Sequence, residues 1–223
     1  MPSWPICPHT IGAVARLVLC AGYDMRAYRL DLPSTLKVFE VDQQEVQDIK
    51  KSKTPSEMLA SGKATYVSVD FNTQTLTDQI AKAGFEAGLP TIVTLEGVTQ
   101  YVPKEAIAAT LNEVGSLCGP GSTIFVSYVD EAFESDPPAI FGKGYPKPEA
   151  TVAMFKKIAG GVGEPWISFY KADEMKAMLS SCGFVLASDT CFEDYNDKYF
   201  GAVGRKVPPE GMMNLERFAV ATK

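Results

Sequence analysis

The feature that most constrains the fold is an alternation: apolar runs of strand length are separated by segments whose apolar residues recur at helical spacing. Strands buried on both faces read as near-continuous apolar runs, and parallel strands need crossover segments between them. The sequence therefore predicts an α/β fold with a doubly wound, mostly parallel seven-stranded sheet and helices on both faces. The predicted strands are residues 14–20, 36–41, 64–69, 90–95, 122–128, 184–188 and 216–221. Helices are predicted over 44–59, 76–87, 104–117, 149–158 and 171–181. Between 130 and 165 the composition shifts to Pro, Gly and aromatic residues, which reads as an excursion over the strand ends.

A chain of 223 residues with 46% apolar content fills one core, so a single domain over 1–223 is expected, with 130–165 as a cap-like excursion between the fifth and sixth strands. Acidic residues outnumber basic ones, 27 to 21, and the longest basic cluster is Lys50-Lys51 with Lys53. That balance argues against nucleic acid or an anionic membrane as partner. The cysteines, Cys7, Cys20, Cys118, Cys182 and Cys191, are odd in number with no C-x-x-C spacing, so neither a disulfide framework nor a zinc site is expected. No run approaches the roughly 18 apolar residues of a membrane span, and Met1-Pro2-Ser3-Trp4-Pro5 lacks the features of a signal peptide. A cytoplasmic protein is expected.

Leu17-Val18-Leu19-Cys20-Ala21-Gly22 is an apolar strand entering a tight turn, where Gly22 lets a ligand approach the backbone. About 20 residues on, Phe39-Glu40-Val41-Asp42 puts carboxylates at the end of the second strand, where nucleotide-binding α/β folds hold ribose hydroxyls. Asp42 also precedes a helical segment and so suits a helix N-cap; the two roles are compatible. A nicotinamide-dependent oxidoreductase shares these features, but the chain lacks G-x-G-x-x-G and a Tyr-x-x-x-Lys pair.

More specific are Leu19-Cys20-Ala21-Gly22-Tyr23-Asp24-Met25-Arg26-Ala27-Tyr28-Arg29-Leu30, Phe39-Glu40-Val41-Asp42, Val69-Asp70-Phe71 and Glu96-Gly97-Val98-Thr99-Gln100-Tyr101-Val102. In order and spacing they resemble successive motifs of the leucine carboxyl methyltransferase family, and Gly163-Glu164-Pro165-Trp166 and Leu215-Glu216-Arg217-Phe218 look like its bacterial branch. The resemblance implies a Rossmann-like class I methyltransferase fold, S-adenosyl-L-methionine as cofactor, and O-methylation of a carboxylate or hydroxyl on a small molecule or a protein C-terminus.

Carried onto this chain, the resemblance makes Cys20, Ala21 and Gly22 the turn at the methionine part of the cofactor. Glu40 and Asp42 become the acids at the ribose, and Asp70 and Phe71 the contacts to adenine. Glu96 would lie beside the methyl being transferred, and Tyr101 would orient the acceptor or wall its pocket. Asp24 and Arg26 are further cofactor-site candidates whose plainer role is a salt bridge shaping the loop; Arg29 is read as structural. The family usually has glycine where Cys20 stands, and its members usually carry several dozen more residues before the first strand, including part of a substrate lid. A more open groove is therefore expected, and the alternative reading is a homologue that binds cofactor but is catalytically impaired.

Methyl transfer from a sulfonium needs positioning and exclusion of water rather than a metal. A carboxylate acceptor is already ionised at neutral pH and needs no base, whereas a hydroxyl does. The lone histidine, His9, lies before the first strand and is not expected to serve.

Overall fold

A computed structural model describes residues 14–70, 73–142, 144–208, 211 and 213–223. The strands are β1 Ala15–Leu19, β2 Lys37–Asp42, β3 Thr65–Ser68, β4 Thr91–Leu95, β5 Thr123–Val129, β6 Val185–Thr190 and β7 Glu216–Thr222. They form one sheet in the order β3-β2-β1-β4-β5-β7-β6. The pairs from β3 to β5 are parallel, while β7 runs antiparallel to both β5 and β6. The chain order reverses at β1, which pairs with β2 on one side and β4 on the other, and ligands of such sheets bind in the crevice beyond the strand ends at that reversal.

The helices are α1 Arg26–Arg29, α2 Gln44–Lys53, α3 Ser56–Ala60, α4 Leu76–Lys82, α5 Lys104–Leu117, α6 Ala132–Ser135, α7 Pro137–Ile140, α8 Pro148–Gly161 and α9 Ala172–Ser181. The helix expected over 44–59 is broken in two. Pro55 disfavours helical backbone at the residue before it, and Thr54 is accordingly extended at φ −86°, ψ 131°. The helix expected over 76–87 stops at Lys82 because Gly84 turns left-handed at φ +85°, closing the helix end.

Helices lie on both faces, but unevenly. On one face α4, α5 and α9 pack Leu76, Ile80, Leu111, Val114, Met175 and Leu179 against Leu17, Leu19, Val93, Leu95, Ile124 and Val126. On the other, α1 and α2 cover the β2 end, where Ala27 and Tyr28 join Val18 and Val38, and Lys50 pairs with Glu40. Along β1, β4, β5 and β7 the alternate residues on this side, Arg16, Ile92, Phe125 and Val220, keep part of their surface. Over the strand ends, the segment carrying α6 to α8 gathers Phe133, Ile140, Phe141 and Val152 with Val129 and Phe169 into a separate apolar cluster. Its return is tied down where the amides of Ile167 and Ser168 both donate to the Gln100 carbonyl.

Candidate functional site

The site is built around the turn after β1. Cys20 and Gly22 both adopt left-handed backbone, at φ +51° and +46°, a conformation that costs a residue with a Cβ about 1–2 kcal/mol. The Gly22 amide donates to Asp42 Oδ2 at 2.7 Å and the Gln43 amide to Oδ1 at 2.8 Å. The Asp42 carboxylate thus joins the β1 turn to the end of β2 while each oxygen retains acceptor capacity. A Cβ added at Gly22 would meet only the Cys20 carbonyl oxygen, at 4.0 Å, so the space beside the turn is open and the constraint on this glycine is its φ.

Two hollows flank Cys20. The larger, 320 Å³, has an apolar lining of Leu19, Leu95, Val98, Val102 and Ile107, with Asp42, Gln43, Gln74, Thr110 and Glu113 as its polar groups. The smaller, 100 Å³, is lined by Val18, Ala21, Asp24, Arg26, Thr94 and Glu96; Leu19 and Cys20 border both. In the smaller hollow Arg26 donates through Nε to Asp24 Oδ2 at 2.7 Å and through Nη1 and Nη2 to the two oxygens of Glu96, at 3.1 and 2.7 Å. Asp24 also accepts from the Arg26 amide at 2.7 Å. Burial alone would lower the pKa of Arg26, but its hydrogen bonds to Glu96 and Asp24 hold it above the ordinary value. Burial, followed by the charge of Asp42, pushes the Cys20 thiol up to about 12, so it stays protonated and is no nucleophile.

The structure brings Cys20, Ala21, Gly22, Asp24, Arg26, Asp42 and Glu96 together around these hollows. Glu40 stands apart from the hollows. It faces the same side of β2 as Asp42 but lies deeper, 1% exposed, paired with Lys50, which also reaches the Asp24 carbonyl. It lines neither hollow and holds the sheet to α2. Asp70 stands at the exposed end of β3, where its carboxylate accepts from the Thr73 hydroxyl and its amide donates to the side chain of Gln74. Gln74, not Asp70, lines the larger hollow. Tyr101 also lines neither; it packs edge-on against Trp166 of the return segment, ring centres 6.5 Å apart. Phe71 and His9 lie outside the described residues.

Sequence reasoning missed Gln43, Gln74, Thr94, Thr110 and Glu113. Gln43 was signalled by its place next to Asp42, but the others look like ordinary polar residues until the sheet turns them inward. Among the described residues no cluster of three or more His, Cys, Asp and Glu side chains could hold a metal ion, and no helix is long and apolar enough to cross a membrane.

Solved structures share this architecture. Magnesium protoporphyrin IX methyltransferase (ChlM) from Synechocystis PCC 6803, crystallised with bound SAH, superposes with a TM-score of 0.57 over 99% of this chain and 78% of its own, at 14% identity. An O-methyltransferase family protein from Burkholderia thailandensis reaches 0.59 over 98% of this chain and 53% of its own, at 11% identity. At such identities the likeness establishes the fold, a Rossmann-like class I methyltransferase sheet. In sequence, the chain is 31% identical over 192 residues to the Bacillus subtilis protein named "Putative S-adenosyl-L-methionine-dependent methyltransferase YktD", covering 85% of this chain and 60% of YktD. A protein of the same description from Mycolicibacterium vanbaalenii is 36% identical over 121 residues, 54% of this chain and 39% of its own. The chain thus spans no more than about 60% of the length of these relatives. Residues 10–115, which carry the β1 turn, Asp42, Arg26 and Glu96, match the profile of leucine carboxyl methyltransferase.

Proposed function

We propose that the protein is an S-adenosyl-L-methionine-dependent O-methyltransferase acting on a carboxylate, of a small molecule or a protein C-terminus. The observation that carries this reading is the Asp42 carboxylate, fixed by the Gly22 and Gln43 amides at the edge of an apolar 320 Å³ hollow with a charged hollow on the far side of the same turn. The two hollows fit the two ends of such a cofactor. Leu19, Leu95, Val98 and Ile107 offer contact area to a flat ring, and Asp42 offers acceptors to a ribose diol. Asp24 and Glu96 put negative charge where the cationic end would lie.

When bound, the cofactor supplies a methyl group already activated on a sulfonium sulfur. The chain's residues then have to orient and enclose. The 163–169 return segment, pinned to the Gln100 carbonyl, stands beside the β4 end, where an acceptor would have to enter. Every carboxylate lining the hollows already accepts hydrogen bonds: Asp42 from backbone amides, Asp24 and Glu96 from Arg26, and Glu113 from Thr77. With the Cys20 thiol protonated as well, an acceptor that arrives ionised suits the site better than one that must first lose a proton. The free thiols Cys20, Cys118, Cys182 and Cys191 fit a reducing cytoplasm.

Calorimetric titration with S-adenosylmethionine tests the cofactor assignment. Asp42→Ala should bind at least about tenfold more weakly, since hydrogen bonds to a charged group contribute roughly 1.5–3 kcal/mol. Unchanged affinity in a folded variant removes Asp42 from the site. A methyl-release assay over carboxylic acids and phenols tests the acceptor: turnover confined to phenols overturns the carboxylate.

A further inference from the structure

Between β6 and β7 the chain is far longer than the strands require. The two are antiparallel neighbours, which a two-residue turn can join, yet residues 191–215 intervene, and connections of that length within a compact domain are usually functional. The described part is built: Asn196 exchanges two hydrogen bonds with the Val207 backbone, at 3.0 and 2.8 Å, beside a π-helical turn at Asn196–Phe200. Its far end is tied to the 130–165 excursion, where Met213 bridges Phe141 and the Asn214 amide donates to the Ile140 carbonyl at 2.7 Å. Arg217 fastens the roots of both. It donates through Nε to Asp189 Oδ1 at 2.9 Å, near the end of β6, and its Nη1 lies 3.5 Å from Asp130 Oδ2, where the first excursion begins. The two excursions therefore form one cap.

Phe218, the residue after Arg217, faces the other side of β7, the side of the smaller hollow. It stands beside Ser127 of β5, whose hydroxyl accepts from the Gly97 amide at 2.8 Å, one residue past Glu96. Neighbouring strands lie about 4.8 Å apart, so Phe218 is two strand spacings, about 10 Å, from the end of β4 on the face that Glu96 and Thr94 share. Tyr195 of the β6–β7 connection packs on Phe218, ring centres 6.1 Å apart, and Tyr199 packs edge-on against Tyr195 at 5.3 Å with 45% of its surface exposed. These rings belong to none of the three apolar clusters that hold the fold.

We infer that Tyr195 and Phe218 form a subsite for the body of the acceptor, and that the acceptor is a carboxylic acid carried on an aromatic ring. The inference rests on the carboxylate reading above. With the acceptor's carboxylate in line with the methyl group beside Glu96, a ring a few bonds away extends past Ser127 toward these two side chains, where aromatic rings gain from edge-on or offset contact. A short aliphatic acid leaves both rings uncovered.

The test compares 3-phenylpropionate with propionate in a methyl-release assay on the intact chain. The wild type should prefer the aryl acid in kcat/KM by about tenfold or more. Tyr195→Ala and Phe218→Leu should each remove most of that preference by raising the KM for 3-phenylpropionate, with its kcat little changed. S-adenosylmethionine affinity, unchanged in both variants, shows that the fold is retained. Equal turnover of the two acids by the wild type, or a preference that survives both substitutions, overturns the subsite. Calorimetry of 3-phenylpropionate against the chain saturated with S-adenosylhomocysteine decides the subsite apart from turnover. Binding that weakens about tenfold in Tyr195→Ala is expected, and no binding by the wild type overturns it. If that binding is found but no carboxylic acid is methylated, the carboxylate reading fails while the aromatic subsite stands.

Discussion

Leu17, Val93 and Val126 face one side of the sheet with 0–1% of their surface exposed, whereas Arg16, Ile92, Phe125 and Val220, their neighbours on the opposite side, keep part of theirs. The difference follows from the crossovers. On the first side α4, α5 and α9 lie across the whole sheet from β3 to β7. On the second, the connection from β1 to β2 contains only the single turn of α1, and α2 stays near β3. The first side therefore holds the main core. The second is divided: its β2 end is sealed by a buried ion pair, and its middle carries the smaller hollow. The larger hollow opens on the first side, at the strand ends between Leu19, Leu95 and Ile107, so each face contributes one of the two hollows while the main core lies on the first.

That division can be broken most forcefully at the sealed end. Lys50→Met leaves the Glu40 carboxylate buried without its partner, and should cost about 3–5 kcal/mol in a urea melt. Adding Glu40→Gln should restore much of it, and a single-variant loss under about 1 kcal/mol would mean that the pair does not hold α2 to the sheet.

Next comes the contrast between the faces themselves. Leu17→Ala opens a cavity in the main core and should cost about 2–5 kcal/mol, whereas Ile92→Ala, whose side chain already meets solvent in part, should cost less than half as much. Similar losses at the two sites would show that the second face is as well packed as the first.

The smallest effect is expected at the turn between the hollows. Cys20→Gly relieves left-handed strain of about 1–2 kcal/mol but frees the unfolded chain by about 0.4–1 kcal/mol, so a modest net rise in Tm is expected. A fall in Tm would show that packing of the buried thiol outweighs the backbone strain.

The register of legible and illegible features follows physical range. Strand cores were readable because burial on both faces writes itself as continuous apolar runs, and Lys104–Leu117 was readable to the residue because its periodicity ends where the Gly119-Pro120-Gly121 turn begins. Pro55 and Gly84 were equally visible as local signals, and weighing them would have split one helix and shortened another. The site was legible only where a short motif carried it, as with Gly22 and Asp42. Glu40 and Asp42 look alike in the sequence, two acids on one face of one strand, yet one serves α2 and the other the cleft, because Lys50 arrives beneath the first and the strand ends at the second.

By itself, then, the sequence determined the mostly parallel sheet and the acid following the glycine turn, since each depends on residues close in the chain or on a period set by backbone geometry, whereas the reversal at β1 came with the strand order. Tertiary structure alone decided that Arg26 bridges Asp24 to Glu96 seventy residues away, and that Gln74 rather than Asp70 faces the hollow. Those outcomes depend on which helix covers which face, and a pairwise contact across the sheet leaves no periodic mark on either of the segments that make it.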